Sequence, residues 1–245
     1  MSGGLGGALR VAADAEKVAA EAARWLAAES RDVRTRPDRF SIALAGGSTP
    51  RTLYQLLATP PYRDTMDWRA WDVFFIDERA APPDDPRSNY RIASDAVLQH
   101  VDIDPGHVHR MEAERADIDA AALEYSQLLA NTLPPGPRGA PRLDVVLLGL
   151  GENGHVASLF PGTPALQVTD AWATHGVADY APFERITLTF PTINAAAAVA
   201  FLVVGAAKGD ALRQTLAGTV PAARVRPLDG DLVWFLDDDA AGELP

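Results

Sequence analysis

The sequence predicts an α/β fold built on a mainly parallel sheet with helices on both faces. Two observations carry that prediction. Short continuous apolar runs recur at residues 40–44, 71–76, 143–148 and 199–204, with amphipathic segments between them. Strands covered on both faces read this way, whereas strands with one wet face alternate. Glycine-rich turns stand just after the runs at 40–44 and 143–148, where a strand hands over to the next segment. A chain of 245 residues, 47% of them hydrophobic, can bury such a core without a metal or disulfide staple.

Each element follows from its local pattern. Residues 15–29 are Ala-rich with spaced apolar positions (Val18, Ala22, Trp25, Leu26), which predicts an amphipathic helix. The strand at 40–44 stops at Gly46-Gly47, and 52–57 reads as helix. The strand at 71–76 runs into a polar, Pro-rich loop over 77–86. Residues 88–98, with Ile92, Ala96 and Val97, and residues 117–129 read as helices, and Pro134-Pro135-Gly136-Pro137 breaks the chain after them. The strand at 143–148 ends in a glycine-rich turn, 185–190 alternates like a strand, and 199–204 is a wholly apolar one. A helix over 208–216 and a strand over 231–236 complete the order. There is no internal repeat. The Pro-rich stretch 133–141 is the one plausible linker, but the same patterning continues after it, so a single domain spanning 1–245 is expected.

Composition removes several function classes. Twenty-two basic against 33 acidic side chains give a net charge of −11, which argues against nucleic-acid and anionic-membrane partners. A small anionic ligand remains compatible, because a few local cations and a helix end suffice for one phosphate. With no cysteine there is no thiol nucleophile, disulfide or thiolate metal site. The apolar stretch 195–207 is shorter than the roughly 20 residues that cross a bilayer. The opening residues 1–17 lack the apolar core of a secretory signal, so the cytoplasm is the expected compartment.

In a parallel α/β sheet, ligands sit beyond the carboxyl ends of the strands. Three segments lie there. In Ala45-Gly46-Gly47-Ser48-Thr49-Pro50, glycines allow close backbone approach, Ser48 or Thr49 can cap a helix, and Pro50 suits its first turn. Exposed N–H groups at such a start favour phosphate, although an unliganded turn fits the same spacing. The GK[ST] ending of a Walker loop is missing. In Ile76-Asp77-Glu78-Arg79, two carboxylates beside an arginine read either as an acid/base pair or as a solvated loop start. The Ser88-Asn89-Tyr90 that follows opens a helix and fits a cap.

The third segment, Gly149-Leu150-Gly151-Glu152-Asn153-Gly154-His155, matches GxGxxG, with Asp170 near the distance of a ribose-binding acid. A dinucleotide site needs a helix next, yet the chain runs into Pro161-Gly162-Thr163-Pro164, so that reading fails on context. His155 is the more suggestive feature, since an imidazole titrates near neutrality and serves as a general base. His100, His107, His109 and His175 have no motif context; His107 and His109 alternate like two strand faces, which argues against a shared metal. Ser158 lacks a GxSxG elbow and is expected to cap or pack.

Taken together, LAGGSTPRTLY (44–54), FFIDER…SNY (74–90), GLGENGHVASLFPG (149–162), RITLTFPTINAA (185–196), FLVVGAAK (201–208) and PAARVRP (221–227) resemble the 6-phosphogluconolactonase family, a branch of the glucosamine-6-phosphate isomerase/deaminase superfamily. The segments span almost the whole chain in the family's order. The resemblance implies a Rossmann-like fold, no cofactor, and hydrolysis of 6-phospho-D-glucono-1,5-lactone in the oxidative pentose phosphate pathway. The partner it implies is a small sugar-phosphate lactone, handled by a monomer or weak homo-oligomer. It further implies a metal-free mechanism in which His155 deprotonates the attacking water. Asn153 stands beside this base, and the oxyanion is met by backbone N–H groups or a cation such as Arg79. Gly46, Gly47, Ser48 and Thr49 would hold the 6-phosphate, with Lys208 and Arg79 or Arg185, while Asp77 and Glu78 orient Arg79 or substrate hydroxyls.

Three departures from the family pattern are visible. Relatives commonly carry Asp where this chain has Asn153. The stretch 179–184 lacks the lysine and prolines usual there, and Ala197 replaces an arginine often found after INAA. In the deaminase branch a Glu stands five residues after the motif histidine and the acidic pair is followed by Tyr; here those places hold Phe160 and Arg79.

Overall fold

Among the described residues, nine strands separate into two sheets. The computed structural model describes residues 5–32, 39–242 and 244, so the first four residues of the opening segment lie outside it. In chain order the elements are β1 (Ala8–Ala12), α1 (Ala15–Glu29), β2 (Phe40–Leu44), α2 (Ser48–Leu57), α3 (Tyr62–Thr65), β3 (Trp71–Phe75), β4 (Asp77–Arg79), α4 (Asn89–Ala93), α5 (Ile118–Thr132), β5 (Val145–Leu148), β6 (Ala173–Val177), β7 (Glu184–Leu188), α6 (Phe190–Ala195), β8 (Ala198–Val203), α7 (Gly209–Ala217), β9 (Asp231–Asp237) and α8 (Asp238–Ala241). The larger sheet has the order β1-β9-β8-β5-β2-β3, and each of its pairs is parallel. Helices cover both faces, as expected. No helix among the described residues is long and apolar enough to cross a membrane.

The core explains why these sequences form these elements. Every residue of β2, β3, β5 and β8 is buried, which is what their unbroken apolar runs require. Phe201 and Trp234 stack across the β8–β9 pair with ring centroids 3.7 Å apart. α1 starts where the Asp14 side chain accepts the N–H of Lys17 at 2.8 Å, and its buried face runs through Val18, Ala22 and Leu26.

The smaller sheet, β4-β7-β6, is antiparallel. Ile76 joins the two sheets: its N–H donates to the Leu44 carbonyl of β2, and its carbonyl accepts from Leu188 of β7. The chain thus leaves the large sheet at Ile76 and carries Asp77, Glu78 and Arg79 across the carboxyl ends of its strands. The expected loop over 77–86 therefore begins as a strand, paired Asp77 to Thr187 and Arg79 to Arg185. The strand expected at 185–190 stops at Leu188, because Pro191 lies in the first turn of α6.

Candidate active site

A cleft of about 500 Å³ opens between the ends of β2 and β5, where the strand order changes direction. Gly46, Gly47, Asp77, Arg79, Asn153, His155 and Lys208, all singled out in the sequence, line it together. They arrive from the ends of four strands, β2, β3, β5 and β8. Ser48 and Thr49 form the first turn of α2 behind the glycines, and Ser48 is exposed. Arg185 is not among the lining residues; it is buried in β7, its guanidinium donating to the Pro182 carbonyl and standing 5.2 Å from the Tyr180 ring.

After β5 the chain turns back on itself. Gly154 N–H donates to the Gly151 carbonyl at 2.9 Å, and Gly151 N–H to the His155 carbonyl at 3.0 Å. Two glycines are needed for different reasons. Gly154 has φ +77°, in the left-handed region, whereas at Gly151 a Cβ would lie 2.1 Å from the His155 ring. The imidazole is then fixed on three sides. Its Nδ1 is 2.6 Å from Asn153 Oδ1, which also accepts the His155 backbone N–H at 3.1 Å. Its face stacks on Phe160 at 4.0 Å, and Tyr180 meets Phe160 edge-on. Ala157, on the cleft wall two residues after His155, has φ +49°; left-handed backbone at a residue with a Cβ costs on the order of 1 kcal/mol, and the next residue, Ser158, is fixed by two hydrogen bonds.

Ser158 is buried, in keeping with the expected packing role. Its hydroxyl donates to Asp77 Oδ2 at 2.6 Å and its N–H to Thr187 at 3.1 Å, tying the His155 loop to the small sheet. Asp77 Oδ1 accepts from Asn89 Nδ2 at 2.9 Å, so both carboxylate oxygens are engaged in the cleft floor. Glu78 turns the other way. Its buried carboxylate accepts the N–H groups of Arg79, Asn89 and Tyr90 and the Ser88 hydroxyl, which pins the start of α4. It holds the Arg79 backbone, as expected, and does not line the cleft.

The phosphate-type features also assemble. Gly47 caps α2 with φ +103° and no side chain covers the first N–H groups, while Gly46 packs so closely on Asn89 that a Cβ would stand 1.8 Å from the amide oxygen. Arg79 reaches the Arg87 carbonyl through one terminal nitrogen at 2.5 Å, and its buried Nε has no partner. Lys208, on the turn Ala206–Lys208 before α7, stands 3.9 Å from Glu152. Burial pushes the His155 imidazole below its ordinary value; Asp77 and Asp179 pull it up, and Lys208 and Arg185 oppose them.

Sequence reasoning missed four residues of this cleft: Asn89, Ala157, Asp179 and Tyr180. Asn89 was visible only as a helix opening; its role depends on the chain returning to Asp77, which no local pattern shows. One further expectation is corrected. His107 and His109 do share a neighbour, at the opposite end of β3: Asp72 Oδ1 lies 2.6 Å from His107 Nδ1 and 3.6 Å from His109 Nε2. Strand alternation fails there because His107 sits in the turn Pro105–His107 and only Val108 bridges to Val73. Arg39 already faces Asp72 Oδ2 at 3.2 Å, so this cluster carries its own cation.

Three comparisons place this geometry. The family model described as "Glucosamine-6-phosphate isomerases/6-phosphogluconolactonase" matches residues 13–234. A 6-phosphogluconolactonase of a Nostoc species is 43% identical over 211 residues, covering 84% of this chain and 85% of its own. A probable chloroplastic 6-phosphogluconolactonase of Oryza sativa is 37% identical over 243 residues, covering 94% of this chain and 74% of its own. The solved structure of 6-phosphogluconolactonase from Trypanosoma brucei superposes with a TM-score of 0.87 at 30% identity, covering 98% of this chain and 99% of the other.

Proposed function

The chain belongs to the 6-phosphogluconolactonase family of the glucosamine-6-phosphate isomerase/deaminase superfamily and hydrolyses 6-phospho-D-glucono-1,5-lactone in the oxidative pentose phosphate pathway; we propose that it does so with His155 as general base and without a metal. One observation supports this most. Asn153 engages the ring at Nδ1, which leaves Nε2 as the ring nitrogen able to take a proton within the cleft. A water gives its proton to Nε2 as its oxygen bonds to the lactone carbonyl carbon. The tetrahedral oxyanion is met by Arg79 or by backbone N–H groups. It then collapses, the bond from the carbonyl carbon to the ring oxygen breaks, and the imidazolium returns the proton to that oxygen. The product is 6-phospho-D-gluconate. Gly46, Gly47, Ser48 and Thr49 with Lys208 hold the 6-phosphate at the start of α2, and Asp77 orients the floor. Arg185 acts from below through Tyr180 and the cleft wall.

The reading takes residues 1–245 as one catalytic domain, a monomer or weak homo-oligomer in the cytoplasm, with no nucleic-acid or membrane partner. The family match over 13–234 supports one domain, and the net charge of −11 supports the lack of a nucleic-acid partner. The direct test is acid release from fresh 6-phosphogluconolactone, measured against spontaneous opening. No acceleration over that background overturns the reading.

Two further results are expected. The neutral imidazole is the active form and its pKa is lowered by burial, so kcat/KM should stay level down to below the ordinary value of 6.5 and fall only at more acid pH. A limb centred above 6.5, after correction for spontaneous opening, contradicts a buried base. For the cations, Lys208→Ala should weaken the phosphorylated lactone about 10- to 100-fold, the range for a lost charge-assisted bond. The same change should leave the phosphate-free lactone nearly unaffected. Arg79→Ala tested in parallel separates the roles: a loss confined to the phosphorylated lactone assigns it to phosphate, and an equal loss with both assigns it to the oxyanion.

A further inference from the structure

No hydrogen bond of His155 goes to a carboxylate among the described residues. An amide stands in that place, and an amide, unlike a carboxylate, has only one accepting end. Asn153 Oδ1 takes both the backbone N–H of His155 at 3.1 Å and ring Nδ1 at 2.6 Å. The other end, Nδ2, donates to Asp179 Oδ2 at 3.0 Å, across 26 residues of chain. We propose that Asp179 is a positioning residue for lactone hydrolysis, acting on His155 through Asn153 in a carboxylate–amide–imidazole relay.

Two physical effects make the relay useful. The first is orientation. Turning the amide over would set its NH₂ group against the His155 backbone N–H and against a protonated Nδ1, and would also give up the charge-assisted bond to Asp179. With the amide held, the ring proton stays on Nδ1 and the lone pair on Nε2 faces the water. The second is polarisation. An amide that donates to an anion becomes a better acceptor at its carbonyl, which strengthens the bond to Nδ1–H and makes the imidazole more basic. Asp179 acts in this sense on the imidazole together with Asp77, and against Lys208 and Arg185; Phe160 covers the ring face.

The location fits the role. Asp179 lies in the turn between β6 and β7, next to Tyr180, whose ring packs edge-on against Phe160. One turn therefore holds both the amide bonded to the imidazole and the ring stacked under it. Asp179 itself is exposed, so solvent screens it and the expected effect is moderate.

The inference rests on the reading of His155 as the base, and the experiment separates the two. Full-length protein carrying Asp179→Ala, Asn153→Asp or both is compared with the parent by kcat and KM across pH, and by ¹⁵N NMR of the five labelled histidines, with His155→Ala identifying the resonance. Asp179→Ala should lower kcat about three- to tenfold with little change in KM, the scale of one screened bond to a charged group. It should also move the acid limb to lower pH, and raise the share of Nε2–H tautomer of His155. In the Asn153→Asp background the same change should cost less than about twofold, because a carboxylate bonds Nδ1–H through either oxygen and needs no orienting partner. Equal losses in both backgrounds overturn the relay, as does an unchanged tautomer and acid limb after Asp179→Ala. The NMR arm decides even where Asn153→Asp turns over slowly. If His155→Ala keeps full activity, the base reading falls instead.

Discussion

His155→Ala is expected to reduce turnover about 10²–10⁴-fold, the usual loss when a general base is removed. The loss should appear in kcat. Phosphate recognition is assigned to the start of α2 and to Lys208, on other elements than the His155 loop, so binding of 6-phosphogluconate should change little. The fold should survive, because the imidazole is half-buried and its stack on Phe160 is the main packing lost. Acid release from the fresh lactone, followed after exhaustive chelation, and thermal melts with and without 6-phosphogluconate check all three points. A folded variant with unchanged rate would remove His155 from the chemistry. Loss of the parent's activity on chelation would remove the metal-free mechanism.

How far the sequence disclosed this arrangement depended on how local each signal was. β2, β3, β5 and β8 were legible because parallel strands buried on both faces must be apolar throughout, and the apolar run of β9 was legible in the same way. β1 was not, because Ala8–Ala12 is an edge strand, largely exposed, and its pairing with β9 comes from the far end of the chain. β4 is three charged residues that become a strand only through β7, and β6 carries a histidine and a glycine in five residues. The site divides in the same way. Gly46, Gly47, Asp77, Arg79, His155 and Lys208 follow strand ends, where the parallel architecture itself points. Asn89 and Asp179 reach the cleft by loops that return to it, and Ser158 meets Asp77 across 81 residues. Such contacts leave no local periodicity to read.

Purified protein is expected to release no ammonia from glucosamine 6-phosphate while it accelerates lactone opening. The fold cannot make this distinction, since one family model covers both glucosamine-6-phosphate isomerases and 6-phosphogluconolactonases. The proton-transfer groups can. Deamination with isomerisation opens a sugar ring and moves a proton between adjacent carbons, so it needs several groups that exchange protons with substrate. In the deaminase branch the residue five after the motif histidine is a Glu; here it is Phe160, which lies 4.0 Å from the imidazole as a buried, parallel ring and has no proton to give. Of the other carboxylates nearby, Asp179 accepts from Asn153, Glu152 stands beside Lys208, and the two that follow β3 are committed elsewhere. Glu78 accepts four hydrogen bonds at the start of α4, and both oxygens of Asp77 are held by Asn89 and Ser158. Lactone hydrolysis asks for less: one base for water and a donor for an oxyanion, roles the proposal gives to His155 and to Arg79 or the loop N–H groups. An ammonia assay run beside acid release on the same preparation decides the matter. Ammonia appearing at a rate comparable to lactone opening would show that the stacked phenyl ring and the committed carboxylates do not limit this site to hydrolysis.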